Sequence, residues 1–170
     1  FVLLLSSMML PSAVTMVPVY VGWSKLGGID TYWPLILPAY LGGGAYNIFL
    51  LRQFMKGIPR ELDEAATIDG AGKIRIFFTI IVPLTKASVV VVAMFCFMGV
   101  WNDFMGPLLY LNSESKYTVS ISLQSLQGSY SSRWNLIMAA SAIVVLPCVI
   151  VFLLGQKHII GGIAISGIKG

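Results

Sequence analysis

Long apolar stretches alternate with short polar breaks along this chain, and the pattern reads as membrane spans joined by turns. Four apolar stretches can be drawn, at about 1–22, 34–51, 84–111 and 136–154; three are close to the roughly 20 residues that a helical span needs and the third is longer. Phe1 to Gly22 carries no charge but contains Pro11 and Pro18, which spanning helices tolerate when neighbours satisfy the freed carbonyls. The connection from Trp23 to Trp33 has the turn residues Gly27, Gly28 and Asp30, bracketed by aromatics suited to an interface. In the second span Gly42, Gly43 and Gly44 either permit close helix packing or break the helix locally, and packing is the commoner outcome. The third span starts near Pro83, with Lys86 reaching back to the interface. The fourth contains Pro147 as a candidate kink and is followed by a Gly-rich tail from Gly155 to Gly170.

The break between the second and third spans differs in character. Residues 52–83 hold four of the seven acidic residues, Glu61, Asp63, Glu64 and Asp69, among Arg52, Lys56, Arg60, Lys73 and Arg75. Pro59 suits the first position of a helix, the carboxylates that follow suit the positive end of its dipole, and Gly70 suits a left-handed stop. Leu62, Ala65, Ala66 and Asp69 then share one helical face. That face is short and small, so another surface can approach its backbone closely. Spacing alone equally allows an amphipathic helix lying on the lipid surface.

Composition agrees with the pattern. The chain is 57% hydrophobic and 11% charged, against roughly a half and a quarter in soluble domains. The expectation is an all-α, polytopic membrane bundle with about four transmembrane helices. Lys and Arg crowd the 52–83 segment, while the connections at 23–33 and 112–135 carry only Lys25, Lys116 and Arg133. Positive loops stay inside, which places the charged segment and both ends of the chain in the cytoplasm. The net charge of +4 sits largely at that face, so nucleic acid is not implied.

Candidate chemistry is sparse. His158 lies at the inner end of the last span, and Cys96 and Cys148 lie within apolar stretches. No catalytic pairing, metal-ligand spacing or phosphate-binding Gly-Lys loop is present. Asn102 and Asp103, near the outer end of the third span, are candidates for a translocation pathway or for a structural role such as helix capping. The Ser- and Tyr-rich segment from Asn112 to Trp134 reads as a landing surface for an external partner or as a solvated loop.

The central segment resembles a known signature. Glu64-Ala65-Ala66 is followed at the right spacings by Gly70, Ile80 and Pro83, which is similar to the EAA signature of binding-protein-dependent ABC importer permeases. The departure is Val82 where Leu is usual, an apolar exchange. The flanks, LLRQFMKGIPRELDEAATIDGAG, WNDF at 101–104 and the closing GGIAISGIKG, resemble the carbohydrate-uptake branch, the maltose and glycerol-phosphate type. The similarity runs from about Val17 to Gly170. It implies the type I importer permease fold, with about two further spans upstream of residue 1, in a bacterial or archaeal plasma membrane. It implies that Glu64, Ala65, Ala66, Asp69, Gly70, Ile80 and Pro83 couple the chain to a cytoplasmic ATPase dimer, which binds ATP and magnesium, and that this chain is no enzyme and holds no cofactor. A second permease subunit and an extracytoplasmic solute-binding protein complete the assembly that the resemblance implies, with the Gly-rich tail lying near the ATPase.

Overall fold

A computed structural model describes residues 1–129 and 133–166, and the secondary structure of those residues is helical throughout. Cα packing divides them into two compact units. One comprises the described residues of Phe1–Ala45 and Phe97–Ile150, the other those of Tyr46–Cys96 and Val151–Gly170. Two helices are long and apolar enough to cross a membrane, Trp33–Lys56 and Trp134–His158, and the number rises to four if two bent pairs each count as one span.

In the first unit, helices α1 (Val2–Met8) and α2 (Ser12–Lys25) meet at 97°. The stretch expected to span over 1–22 is therefore a bent pair. Pro11 causes the break: it lacks an N–H, it disfavours helical geometry in the residue before it, and it sits in extended backbone at φ −60° and ψ 133°. Pro18 remains inside α2. Helix α3 (Trp33–Lys56) passes through a π-helical segment, Ala39–Gly43, and is interrupted at Gly44. The glycine run thus breaks the helix locally, contrary to the packing outcome expected.

Helix α4 (Arg60–Ile68) lies in the second unit, and after it α5 (Lys73–Leu84) carries a second π segment, Phe77–Ile81. Helix α6 (Lys86–Trp101) then departs at 71° from α5. The π segment precedes Pro83, whose ring would clash with the carbonyl four residues before it in a regular helix; the wider turn relieves that clash. Thr85 is buried at the corner, and its hydroxyl donates to the carbonyls of Ile81 (2.9 Å) and Val82 (3.2 Å).

The third stretch, drawn over 84–111, is also divided. After α6 the chain breaks at residues 102–104 before α7 (Met105–Tyr110). Within the Asn112–Trp134 segment, Glu114–Lys116 forms a 3-10 turn and Val119–Ser129 forms helix α8, so most of its described residues are helical, and residues 130–132 lie outside the described residues. Helix α9 (Trp134–Ser166) extends well past the expected end at 154 with Pro147 inside it. Glycines end helices in water, but in an apolar phase the backbone must keep its internal hydrogen bonds, so Gly155 does not terminate α9. Lys169 and the last four residues lie outside the described residues.

Apolar side chains point outward along these helices. Val100, Ile143, Leu146, Leu153 and Leu154 are all exposed, while Val91, Val92 and Met94 of α6 are buried. An apolar exterior on helices of this length fits a lipid solvent.

Candidate functional site

The charged segment forms a short, well-ended helix. Pro59 is its N-cap rather than its first helical residue, one position earlier than the sequence suggested, and Glu61 and Asp63 occupy the first turn. No residue of α4 is buried. Its end is sharply defined: Gly70 has φ +81°, the Gly70 N–H donates to Thr67 O (3.0 Å), and the Ala71 N–H donates to Ala66 O (2.9 Å). These two bonds make a Schellman cap, which satisfies carbonyls that a helix end leaves open.

The residues singled out in the sequence take distinct places around this cap. Glu64 and Ala65 are exposed on α4 and Ala66 is half-buried; Asp69 is the C-cap residue and Gly70 the left-handed stop. Helix α4 packs against the first turn of α5, Lys73–Ile76. Ile80 lies in the π segment and Pro83 in the last turn before the 71° corner. Glu64 to Gly70 therefore form one compact helix end, whereas Ile80 and Pro83 shape the chain further along. Thr85, which closes the corner, was not singled out; a Thr two residues after a proline was its only signal.

Asn102 and Asp103 sit in the break between α6 and α7. The Asn102 Nδ2 donates to Met98 O (2.7 Å), and the Asp103 carboxylate accepts from the Gly106 N–H (3.2 Å) in the first turn of α7. The neighbouring Trp101 is held by its Nε1–H, which donates to Val144 O (3.1 Å). These bonds give all three a structural task. Elsewhere, the Nδ1 atom of His158 and one carboxylate oxygen of Asp63 are buried without a hydrogen-bond partner among the described residues. Among those residues no group of three or more His, Cys, Asp and Glu is placed to hold a metal.

One polar cluster went unanticipated. Asp30, at φ 57°, accepts from the Asn112 and Ser113 N–H groups (3.0 and 2.9 Å), from the Ser113 hydroxyl (2.6 Å) and from Lys116 Nζ (2.8 Å). Lys116 first, then the Ser113 and Asn112 donors, hold its carboxyl far below the usual carboxylate range. A carboxyl depressed on folding stabilises above its unfolded pKa, about 4, and loses that contribution as pH falls below it. Asp30→Ala is therefore expected to lower the thermal midpoint in detergent by a few degrees at neutral pH, with the difference from wild type shrinking below about pH 4. An equal difference at both pH values would refute the charge-based account.

Comparison with protein families matches residues 1–164 to the binding-protein-dependent transport system inner membrane component. The chain belongs to that family. It is accordingly a multi-pass membrane protein with the helical fold of such permeases, and it is similar along its whole length to permease proteins of sugar transport systems. It is 36% identical over 170 residues to the arabinooligosaccharides transport system permease protein AraQ of Bacillus subtilis, covering 100% of this chain and 60% of that protein. The maltodextrin transport system permease protein MdxG of the same organism is 35% identical over 164 residues, covering 95% of this chain and 59% of MdxG. The melibiose/raffinose/stachyose import permease protein MelC, again from B. subtilis, is 33% identical over 174 residues, covering 100% of this chain and 62% of MelC. The chain thus spans about 60% of the length of these relatives.

Proposed function

We propose that this chain is the pathway-forming permease part of an ATP-driven sugar importer, and that α4 is the helix a separate ATPase subunit grips. The observation that carries the proposal is an exposed, small-faced, acid-bearing helix fixed by a left-handed glycine stop, in a chain of the importer permease family. Ala65 and Ala66 allow close approach, and Glu64 orients the contact. Movement of α4 passes through the Gly70 cap into α5 and across the Thr85 corner into α6. The ATPase must hold α4 differently in its two states, since only differential contact shifts a conformational equilibrium.

In this reading ATP and magnesium are bound by a cytoplasmic ATPase dimer and no catalysis resides in this chain. A second permease encloses the route, and a solute-binding protein delivers cargo from outside. The charge distribution supports a cytoplasmic α4 with both ends of the chain on the same side. Oligosaccharide cargo is supported by the names of the three relatives.

The test is thiol crosslinking from Ala65→Cys or Ala66→Cys in a Cys96→Ser/Cys148→Ser background, using membranes that hold the assembled transporter. An adduct with the ATP-hydrolysing subunit, changed in yield by ATP, is expected. Absence of that adduct from both positions would remove the docking role.

A further inference from the structure

Beyond the docking role of α4, the helix that follows it has a partner of its own. We propose that α5 is an interfacial helix whose Lys73 and Arg75 bind the headgroups of anionic phospholipids while its apolar stripe rests in the bilayer.

Angle, exposure and charge carry this inference together. Helix α5 departs at 71° from α6, and the two make one candidate span only as a bent pair; of the two, α6, 16 residues long and largely apolar, is taken as the part that enters the membrane. Spanning helices tilt on average about 20° from the bilayer normal, so a helix bent 71° from one runs closer to the membrane plane than to its normal. Its exposed side chains are those of a surface-lying helix. Ile74, Phe78 and Val82 recur four residues apart and are 77%, 64% and 36% exposed, with Phe77 beside them at 41%. Ile76, on the opposite side, is buried. An apolar stripe of this kind needs a cover, and its continuity with a lipid-immersed helix makes the acyl boundary the nearest one.

The charges then select the headgroup. Lys73 and Arg75 flank Ile74 in sequence, and no acidic residue shares that first turn. Cations there oppose the helix dipole, which favours anions at its N-terminal end. Both side chains are exposed, and among the described residues neither has an ion-pair partner. Two cations that work against their own helix, at the level where its apolar stripe begins, suit a phosphate-bearing anionic surface. Each basic residue near such a surface favours anionic lipid about five-fold.

Depth and lipid preference are readable at Phe78. A bimane probe on Phe78→Cys, in the Cys96→Ser/Cys148→Ser background of the full-length assembled transporter, is placed in vesicles of equal parts phosphatidylglycerol and phosphatidylcholine. One lipid at a time carries brominated acyl chains. Quenching by both lipids is expected, with brominated phosphatidylglycerol preferred by about ten-fold or more. Lys73→Gln/Arg75→Gln should bring the preference close to one, and Lys73→Arg/Arg75→Lys should retain it, which separates charge from misfolding. Quenching only by aqueous iodide, no quenching because another subunit covers the probe, or equal quenching by both lipids before any charge is removed would each overturn the proposal. None of these readings depends on whether α4 crosslinks to an ATPase.

Discussion

Gly70→Val is expected to reduce ATP-driven uptake at least ten-fold while leaving the protein inserted in the membrane. Space is not the reason, because a Cβ at Gly70 would meet nothing within 4 Å. Conformation is. Gly70 sits at φ +81°, a region that costs a side-chain-bearing residue about 1–2 kcal/mol, and most for a β-branched one. If the backbone relaxes instead, the bonds from Gly70 N and Ala71 N are lost, each worth roughly 1 kcal/mol. Helix α4 has 9 residues, too few to persist on its own propensity, so a loss of this size unwinds its last turn and with it Ala66 and Asp69. Asn tolerates the left-handed region better, and Gly70→Asn should keep most of the uptake, with Gly70→Asp next. Uptake by the three variants in reconstituted vesicles, alongside their level in the membrane fraction, checks the order. Transport by Gly70→Val at the wild-type rate would show that the stop has no part in coupling.

The position of that stop was legible in the sequence because a helix end is a local event. A proline entry, carboxylates in the first turn and a glycine exit are all set by neighbours within one or two turns, and the structure moves only Pro59, by one position. Longer-range features left no such trace. Nothing near Asp30 announces that its partners are Ser113 and Lys116; in sequence the residue reads as ordinary turn chemistry. In sequence Asp103 suits a capping task or a place on a pathway, and it is the bond from Gly106 N–H that gives it the capping task. The apolar stretches showed where the chain is apolar but not where it bends, because hydrophobicity is the same in a straight helix and in one broken at Pro11 or Thr85. Gly155 misled for a related reason: the rule that glycine ends a helix assumes water ready to take the freed carbonyls, and along α9 there is lipid or protein instead.

Gly155 is also where the second large effect is expected. A Cβ built there would collide with Met94 Sδ and lie 2.7 Å from its Cε and 2.9 Å from its Cγ, so nearly the whole Met94 side chain would have to move. Methionine is flexible, but Met94 is only 6% exposed and has little room to turn. Small residues at such crossings let membrane helices approach closely, which is a main source of their association energy. Gly155→Ala should therefore cost about 1–3 kcal/mol through overpacking, and Gly155→Leu more. Met94→Ala alone should also destabilise, by roughly 2–5 kcal/mol, because it leaves a cavity. The two changes should compensate: a methyl at 155 enters the space that the methionine vacates, and the double variant should be at least 1 kcal/mol more stable than the sum of the singles implies. Thermal midpoints of the four proteins in detergent close this cycle. Strict additivity would mean that Met94 and Gly155 do not share the contact, and that the exclusion of side chains at Gly155 has another origin.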